Sequence, residues 1–321
     1  MAVTHIDFSP MHDVWIRSAD GSLQRMDEPY YKSELVASGI WKIKSDGDFH
    51  YLVEGETEAL AIDTGYGAGN LREYLQSLTD KPVRRVANTH YHFDHTANNP
   101  YFEAAYMSEE AVPLATVPYK SFEGIHFPTD YEHIVVREGD VIDLGGRQLE
   151  VIELAGHTRG SLAFLDRKNR VLFTGDEMDK FVNLTRSVAD FVRSMEKLSA
   201  VRSEVDTCFG GHGLLDLDNI DKLIALGRDI LSGQLPEGES GGPRGGPKGG
   251  PGGPKGPGGP KADEGGEPAP EGATVYSRER PRPGDGGAGT GGQEYRRMAS
   301  GYGVRILYDI RNIAENNADL Y

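Results

Sequence analysis

Only one of the 321 residues is a cysteine, Cys208. A single thiol excludes an internal disulfide and any cysteine-rich zinc module. Long apolar runs are missing too, and no window approaches the roughly 18 consecutive apolar residues of a membrane-spanning helix. The opening Met-Ala-Val-Thr-His-Ile-Asp-Phe is not a basic segment followed by an apolar stretch, so no secretory signal is expected. Positive charge is scarce: 34 Lys and Arg stand against 50 Asp and Glu, for a formal net charge of −16. Nucleic acid and anionic membranes call for basic patches, so neither is expected as a partner. These absences predict a cytoplasmic globular protein acting on a small molecule, and they leave its oligomeric state open.

Composition breaks after Leu235. From Pro236 to about Ser300 glycine and proline dominate, and Gly241 to Lys261 reads GGPRGGPKGGPGGPKGPGGPK. A collagen helix needs glycine at every third position. Here four-residue GGPR and GGPK units mix with three-residue GGP units, so residues 236–298 are expected to form a disordered, loosely polyproline-like insert. Charges balance over 236–300, nine of each sign, which assigns the acidic excess to the folded part. Beyond the insert, Tyr302–Tyr308 alternates like a strand and Asp309–Asn317 suits a short helix. Residues 299–321 are therefore expected to complete the core begun by residues 1–235.

That core reads as strands interleaved with helices. Gly39–Lys44, His50–Glu54 and Ala59–Asp63 are expected strands, with Ser45-Asp-Gly-Asp as a turn between the first two. A helix over Asn70–Leu78 puts Leu71, Leu75 and Leu78 on one face. A buried strand, Val83–Thr89, follows. The second set comprises Val141–Leu144, Gln148–Leu154, Leu162–Asp166, Val171–Thr174, a helix near Ser187–Leu198, and Val205–Phe209. Two similar halves predict an α/β sandwich with helices outside two sheets.

What is present in unusual density is histidine. Thr-His-Tyr-His-Phe-Asp-His-Thr, residues 89–96, holds three of the ten histidines at the exit of an expected strand. The same local pattern, an apolar strand running into a turn with a metal-capable side chain, recurs at His157, Asp176 and His212, and at Asp63. Sheets fix such side chains while loops expose them, and neighbouring glycines let the backbone turn and approach. One histidine after a strand is more often a hydrogen-bonded structural residue, and a lone Gly-Asp is ordinary turn chemistry. The set carries the argument. His5, His12, His50, His126 and His133 lack this setting and are expected to be structural or solvent-facing.

His90-x-His92-x-Asp94-His95, His157 in Gly-His-Thr, Asp176 in Thr-Gly-Asp and His212 in Gly-Gly-His-Gly together resemble the metallo-β-lactamase-fold hydrolases over roughly residues 35–235. The resemblance implies a four-layered αββα sandwich with two divalent ions at one end of the sheets, zinc above all, with iron or manganese also compatible. By position, His90, His92 and His157 would hold the first ion; Asp94, His95 and His212 the second; Asp176 would bridge them. Asp63 would support the ligands from behind. Asp94 and Asp176 are the expected catalytic carboxylates. Such a pair of ions generates a hydroxide near neutral pH and polarises the substrate oxygen, so no serine or cysteine nucleophile is needed.

The resemblance narrows the chemistry to a small acyl substrate: a thioester, a lactone or a related ester. Dedicated β-lactamases usually lack the bridging aspartate. Gly-His-Thr-Arg-Gly-Ser is similar to the Gly-His-Thr-Pro-Gly-Ser of hydroxyacylglutathione hydrolases, with Arg159 in place of proline, either as a substrate-anion contact or as a solvent-facing cation. The helical C-terminal region of glyoxalase II has no counterpart here. Alternatives are β-lactam hydrolysis, an iron-dependent persulfide dioxygenase-like activity, phosphodiester cleavage, and a scaffold whose insert recruits a partner around a structural metal. Tyr91 and Phe93, between the ligands, are expected to pack. The aromatic-bearing segment 101–131, with residues 177–186, is expected either to rim the pocket or to pack in the core.

Overall fold

The structure, a computed structural model, describes residues 14–17, 23–25, 31–45, 48–65, 69–115, 129–234, 239–240, 274–277 and 295–314. Two large sheets dominate. The first has seven strands in chain order: Lys32–Ala37, Ile40–Ser45, Asp48–Glu54, Ala59–Ile62, Val83–Ala87, Ala104–Met107 and His133–Val135. Its first four form an antiparallel meander, and from Ala59–Ile62 onward neighbours run parallel. The second has six, Val141–Asp143, Gln148–Leu154, Ser161–Asp166, Val171–Gly175, Thr207–Gly210 and Gly213–Leu215, all antiparallel except Val171–Gly175 against Thr207–Gly210.

Period-two alternation sorts the strand residues into layers. Tyr51, Val53, Leu60, Ile62 and Ala87 of the first sheet meet Val151, Leu162, Phe164, Phe173 and Phe209 of the second in one buried cluster. Leu52, Ala61, Val86 and Ala105 point the other way and pack with Leu71 and Leu75 of the helix Leu71–Gln76. Ile152, Ala163, Leu165, Leu172 and Cys208 pack outward against Phe191 and Met195 of the helix Val188–Val201 and Leu223 and Leu226 of the helix Asn219–Ser232. Three apolar clusters separate four layers, the αββα order expected. Each fully buried Leu, Ile or Phe contributes about 1.5–3 kcal/mol relative to exposure.

Apart from the C-terminal segment, the expected elements recur with boundaries shifted by up to three residues. The helix Asn219–Ser232 is absent from the sequence-based set, although Ile220, Leu223, Ile224 and Ile230 are buried along it and Gly233 closes it at φ +68°. The strands Lys32–Ala37, Ala104–Met107, His133–Val135 and Gly213–Leu215 also lie outside that set.

The C-terminal segment is a hairpin, Arg296–Gly301 with Val304–Asp309, turning through Tyr302 and Gly303 at φ +55° and +83°. Residues 302 and 303 therefore belong to the turn, because a two-residue hairpin loop of this hand needs both central φ angles positive. Val304–Asp309 also pairs parallel with Phe181–Asn183, and Val304, Ile306 and Tyr308 join the helices' outer cluster. In place of a helix, Ile310–Asn312 makes one 3₁₀ turn, and residues 315–321 are outside the described set. Arg296–Met298, within the expected insert, open the hairpin's first strand and pair there with Glu239–Ser240. Thr274–Ser277 pairs with Val14–Arg17. Apart from Tyr295, the rest of the insert lies outside the described residues.

At one edge the parallel strands of both sheets end side by side, stitched by Leu162 N–H to the Thr89 carbonyl (2.6 Å), Phe49 N–H to the Gly211 carbonyl (2.8 Å) and Tyr51 O–H to the Gly210 carbonyl (2.7 Å). All seven expected ligands emerge at this edge.

Candidate metal centre

His90 and His92 follow Val83–Ala87; Asp94 and His95 sit on the single turn Phe93–Thr96. Three ring nitrogens converge: His92 Nδ1 lies 3.1 Å from His90 Nε2 and 3.1 Å from His157 Nε2. Two ligands of a tetrahedral ion held at about 2.0 Å lie about 3.3 Å apart, so this spacing suits one cation shared by all three rings. A second group, His90, His95 and Asp176, also brings its ligand atoms within 4.8 Å of one another, sharing His90 with the first. Asp176 stands between the two. Its Oδ1 is 3.6 Å from His95 Nε2, and its Oδ2 is 3.8 Å from His157 Nε2 and 3.5 Å from His212 Nε2. Asp94 Oδ2 is 3.8 Å from His95 Nε2. His90, His92, His95, His157 and Asp176 fall within these two groups, while Asp94 and His212 stand beside them, outside either.

Glycines make this approach possible. A Cβ on Gly211 would stand 2.4 Å from Asp176 Oδ1, and one on Gly175, at φ +54°, would stand 2.3 Å from Thr89 Oγ1. Behind the ligands, Asp63 adopts φ +58°, a left-handed conformation that costs a non-glycine residue about 1 kcal/mol or more. Three hydrogen bonds hold it there. Thr89 N–H donates to Oδ1 (2.8 Å), Thr89 Oγ1–H to Oδ2 (2.7 Å), and His95 Nδ1 meets Oδ2 at 2.8 Å. Asp63 thereby fixes the orientation of the His95 ring in the fold.

Sequence reasoning missed three further supports. His157 Nδ1 meets the Asn183 carbonyl at 2.8 Å, and its backbone N–H donates to Glu177 Oε1 at 3.0 Å. His212 Nδ1 lies 3.2 Å from Asp48 Oδ1. Asn183 acts through its backbone and carries no sequence signal. Asp48 looks like hairpin-turn chemistry, and Glu177 is overshadowed by Asp176 beside it. His50 is fully buried with Nε2 2.6 Å from Ser45 Oγ, a core residue with no solvent contact; His5, His12 and His126 lie outside the described residues. Tyr91 and Phe93 pack against the first sheet's outer cluster. Arg159 is partly exposed, and its charge only partly offsets the burial that pushes the Tyr91 phenol up. Of the expected rim, residues 116–128 are outside the described set.

Burial, reinforced by neighbouring imidazoles, holds His90 well below its ordinary pKa and His92 down to about 3, so both rings are neutral donors. Burial also disfavours a charged His95, but Asp63, Asp176 and Asp94 outweigh it and raise that ring well above 6.5. Hydrogen bonds to Asp176 and Asp48 push His212 up to about 11. Burial works against an ionised Asp176, yet His95 and His212 hold it well below the carboxylate range. Meanwhile His95 Nε2 and Asp176 Oδ1 are buried without a hydrogen-bond partner. Buried polar atoms are rarely left so. Neutral imidazoles, carboxylates and orphaned donor atoms aimed at one point fit a divalent metal ion.

A mixed αββα sandwich with histidines and aspartates gathered at one sheet edge defines a metallohydrolase class. The Metallo-beta-lactamase superfamily model matches residues 49–178. The chain is 30% identical over 218 residues to the acyl-coenzyme A thioesterase MBLAC2 of Gallus gallus, a match spanning 57% of this chain and 77% of that protein. It is 30% identical over 123 residues to the hydroxyacylglutathione hydrolase of Erythrobacter litoralis, 38% of this chain and 43% of that one. A metallo-β-lactamase structure from Pontibacter korlensis superposes with a TM-score of 0.50 at 18% identity, covering 62% of this chain and 99% of that one, a likeness of fold. The chain belongs to the metallo-β-lactamase superfamily, and it is a hydrolase of that superfamily. Among the described residues no helix is long and apolar enough to cross a membrane.

Proposed function

We propose that the chain is a dinuclear metal-dependent hydrolase of small acyl thioesters. The observation that carries the two-ion reading is the placement of Asp176, whose Oδ1 faces His95 and whose Oδ2 faces His157 and His212. One carboxylate placed so can serve two ions at once. In this reading His90, His92 and His157 hold one ion; Asp94, His95 and His212 hold the other; zinc is the ion these nitrogen and oxygen donors suit best. When bound, such a pair of ions lowers the pKa of a water and polarises the substrate carbonyl.

The protein's own groups do the rest. Asp63, Asp48, the Asn183 carbonyl and Glu177 hold the ligand rings and the loop around His157 in place, so little reorganisation accompanies the reaction. Asp94, a quarter exposed against 14% for Asp176, is the more solvent-accessible of the two carboxylates, able to take the proton of the attacking water. The thioester assignment is supported by the two relatives, whose names specify one bond type, the acyl–sulfur ester, on different carriers. Arg159 is assigned to the carrier's anionic part. Cys208 is buried, and burial pushes its thiol up to about 12, which removes it as a nucleophile. A fold with no disulfide accords with the cytoplasm.

The test is direct. Chelator-stripped protein is assayed with an acyl-coenzyme A, an acylglutathione, a lactone and a phosphodiester, before and after zinc is restored. Zinc-dependent release of thiol from the thioesters is expected. Full activity without metal, or turnover confined to the phosphodiester, contradicts the proposal.

A further inference from the structure

The two ligand groups are backed by different chemistry. The outward ring nitrogens of His90 and His157 meet neutral acceptors, Thr89 Oγ1 at 3.1 Å and the Asn183 carbonyl at 2.8 Å. Those of His95 and His212 meet carboxylates, Asp63 Oδ2 at 2.8 Å and Asp48 Oδ1 at 3.2 Å. Asp48 belongs to none of the ligand motifs. It opens the strand Asp48–Glu54, pairs across the hairpin with Ser45, and is followed by Phe49, whose N–H bonds the Gly211 carbonyl. The first sheet's hairpin is thus fastened onto the second sheet's His212 loop. The Asp48 side chain is 6% exposed, and its Oδ2 is buried without a hydrogen-bond partner.

His212 needs such a support more than its fellow ligands. Its side chain is 46% exposed, against 1% for His95 and 10% for His157. It is flanked by Gly211 and Gly213, which offer no side chain to pack on its ring. Its orientation therefore comes from polar contacts. A carboxylate acceptor makes the stronger, charge-assisted bond, selects the tautomer with the proton on Nδ1, and makes the opposite nitrogen a better donor.

We propose that Asp48 is a positioning residue: it fixes His212 with Nε2 facing Asp176, and thereby governs retention of the ion at His95 and His212 while leaving the ion at His90, His92 and His157 alone. The inference rests on the dinuclear reading above. Carboxylate partners of ligating histidines typically carry 10- to 100-fold in metal affinity.

Full-length protein is stripped with chelator and equilibrated with buffered free Zn²⁺ or Co²⁺ as wild type, Asp48→Asn and Asp48→Ala. Bound metal per chain is read by mass spectrometry of the metal, and circular dichroism verifies the fold. Wild type should take up two ions. Asp48→Ala should keep one with unchanged affinity and weaken the other by about 10- to 100-fold. Asp48→Asn, which keeps an acceptor oxygen but not the charge, should fall between. In the Co²⁺ form, the shifted exchangeable ring N–H resonance of His212 should vanish in Asp48→Ala while those of the other ligands persist. Folded variants that hold both ions as wild type does, or that weaken both ions equally, overturn the role of Asp48 alone. A wild type that takes up one ion only overturns the dinuclear reading, and this inference with it.

Discussion

At the sandwich edge away from the ligand loops, Arg147 and Asp166 are buried together, 7% and 0% exposed. Arg147 Nε donates to Asp166 Oδ2 at 2.6 Å, and its other nitrogens donate to the carbonyls of Ser38, Gly39 and Glu54 across the sheets. Asp166 Oδ1 accepts from the Asn169 N–H. Positive and negative charge cancel within the chain. At the ligand edge the same low-dielectric interior holds His90, His95, His157 and Asp176, yet His95 Nε2 and Asp176 Oδ1 have no hydrogen-bond partner. One edge is electrostatically complete and joins two sheets. The other leaves buried polar atoms open toward a place where a metal ion could sit, and that difference separates a structural ion pair from a candidate functional centre.

The comparison can be broken first at the ligand edge. His92→Ala or Asp176→Ala should lower thioester hydrolysis by on the order of a thousandfold or more, while denaturant unfolding of the metal-free protein shifts by less than about 1 kcal/mol. At the other edge the pattern should invert. Arg147→Ala leaves Asp166 buried and unpaired and should cost about 3–5 kcal/mol of stability, with turnover and metal content per folded molecule unchanged. Thermal melts with and without chelator sharpen the contrast. Metal bound at 100 times its dissociation constant stabilises by about 2.7 kcal/mol, so chelation should lower the wild-type melting temperature and lower that of His92→Ala by less, since one of the two ions is already lost.

Proton dependence gives a smaller, graded effect. His212 is pushed up to about 11, so at neutral pH its ring carries a proton that a metal ion must displace. Affinity should therefore fall as pH falls, about tenfold per pH unit for each proton displaced, measured by calorimetric titration at about pH 6 and about pH 8. The smallest effect belongs to Cys208: thiol alkylation under native conditions should be slow and should leave activity unchanged, because burial keeps the group protonated.

The ligand edge was largely legible because its grammar is local: the ligands follow apolar strands and three of them, His157, Asp176 and His212, have glycine beside them, so order along the chain already grouped residues that the fold brings near one another. Its supports were not. Asp48 and His212 are far apart in the chain and meet only when the two sheets stack, while Asn183 contributes a carbonyl that every residue possesses. The opposite edge was invisible for the same reason, since Arg147 and Asp166 pair across a hairpin and bond a third turn. Among secondary elements, the short edge strand His133–Val135 and the alanine-rich Ala104–Met107 offer little alternation. Tertiary pairing, more than propensity, makes them strands. The helix Asn219–Ser232 is different, for its apolar spacing and terminal glycine were there to be read.

The central claim is that this histidine–aspartate centre, when loaded with two metal ions, hydrolyses acyl thioesters. The measurement that tests it most directly counts zinc per chain and thioester turnover together, as zinc is titrated into stripped protein. The account predicts negligible hydrolysis at zero zinc and activity rising to a plateau at two ions per chain. A plateau at one ion, or turnover independent of bound zinc, would contradict it.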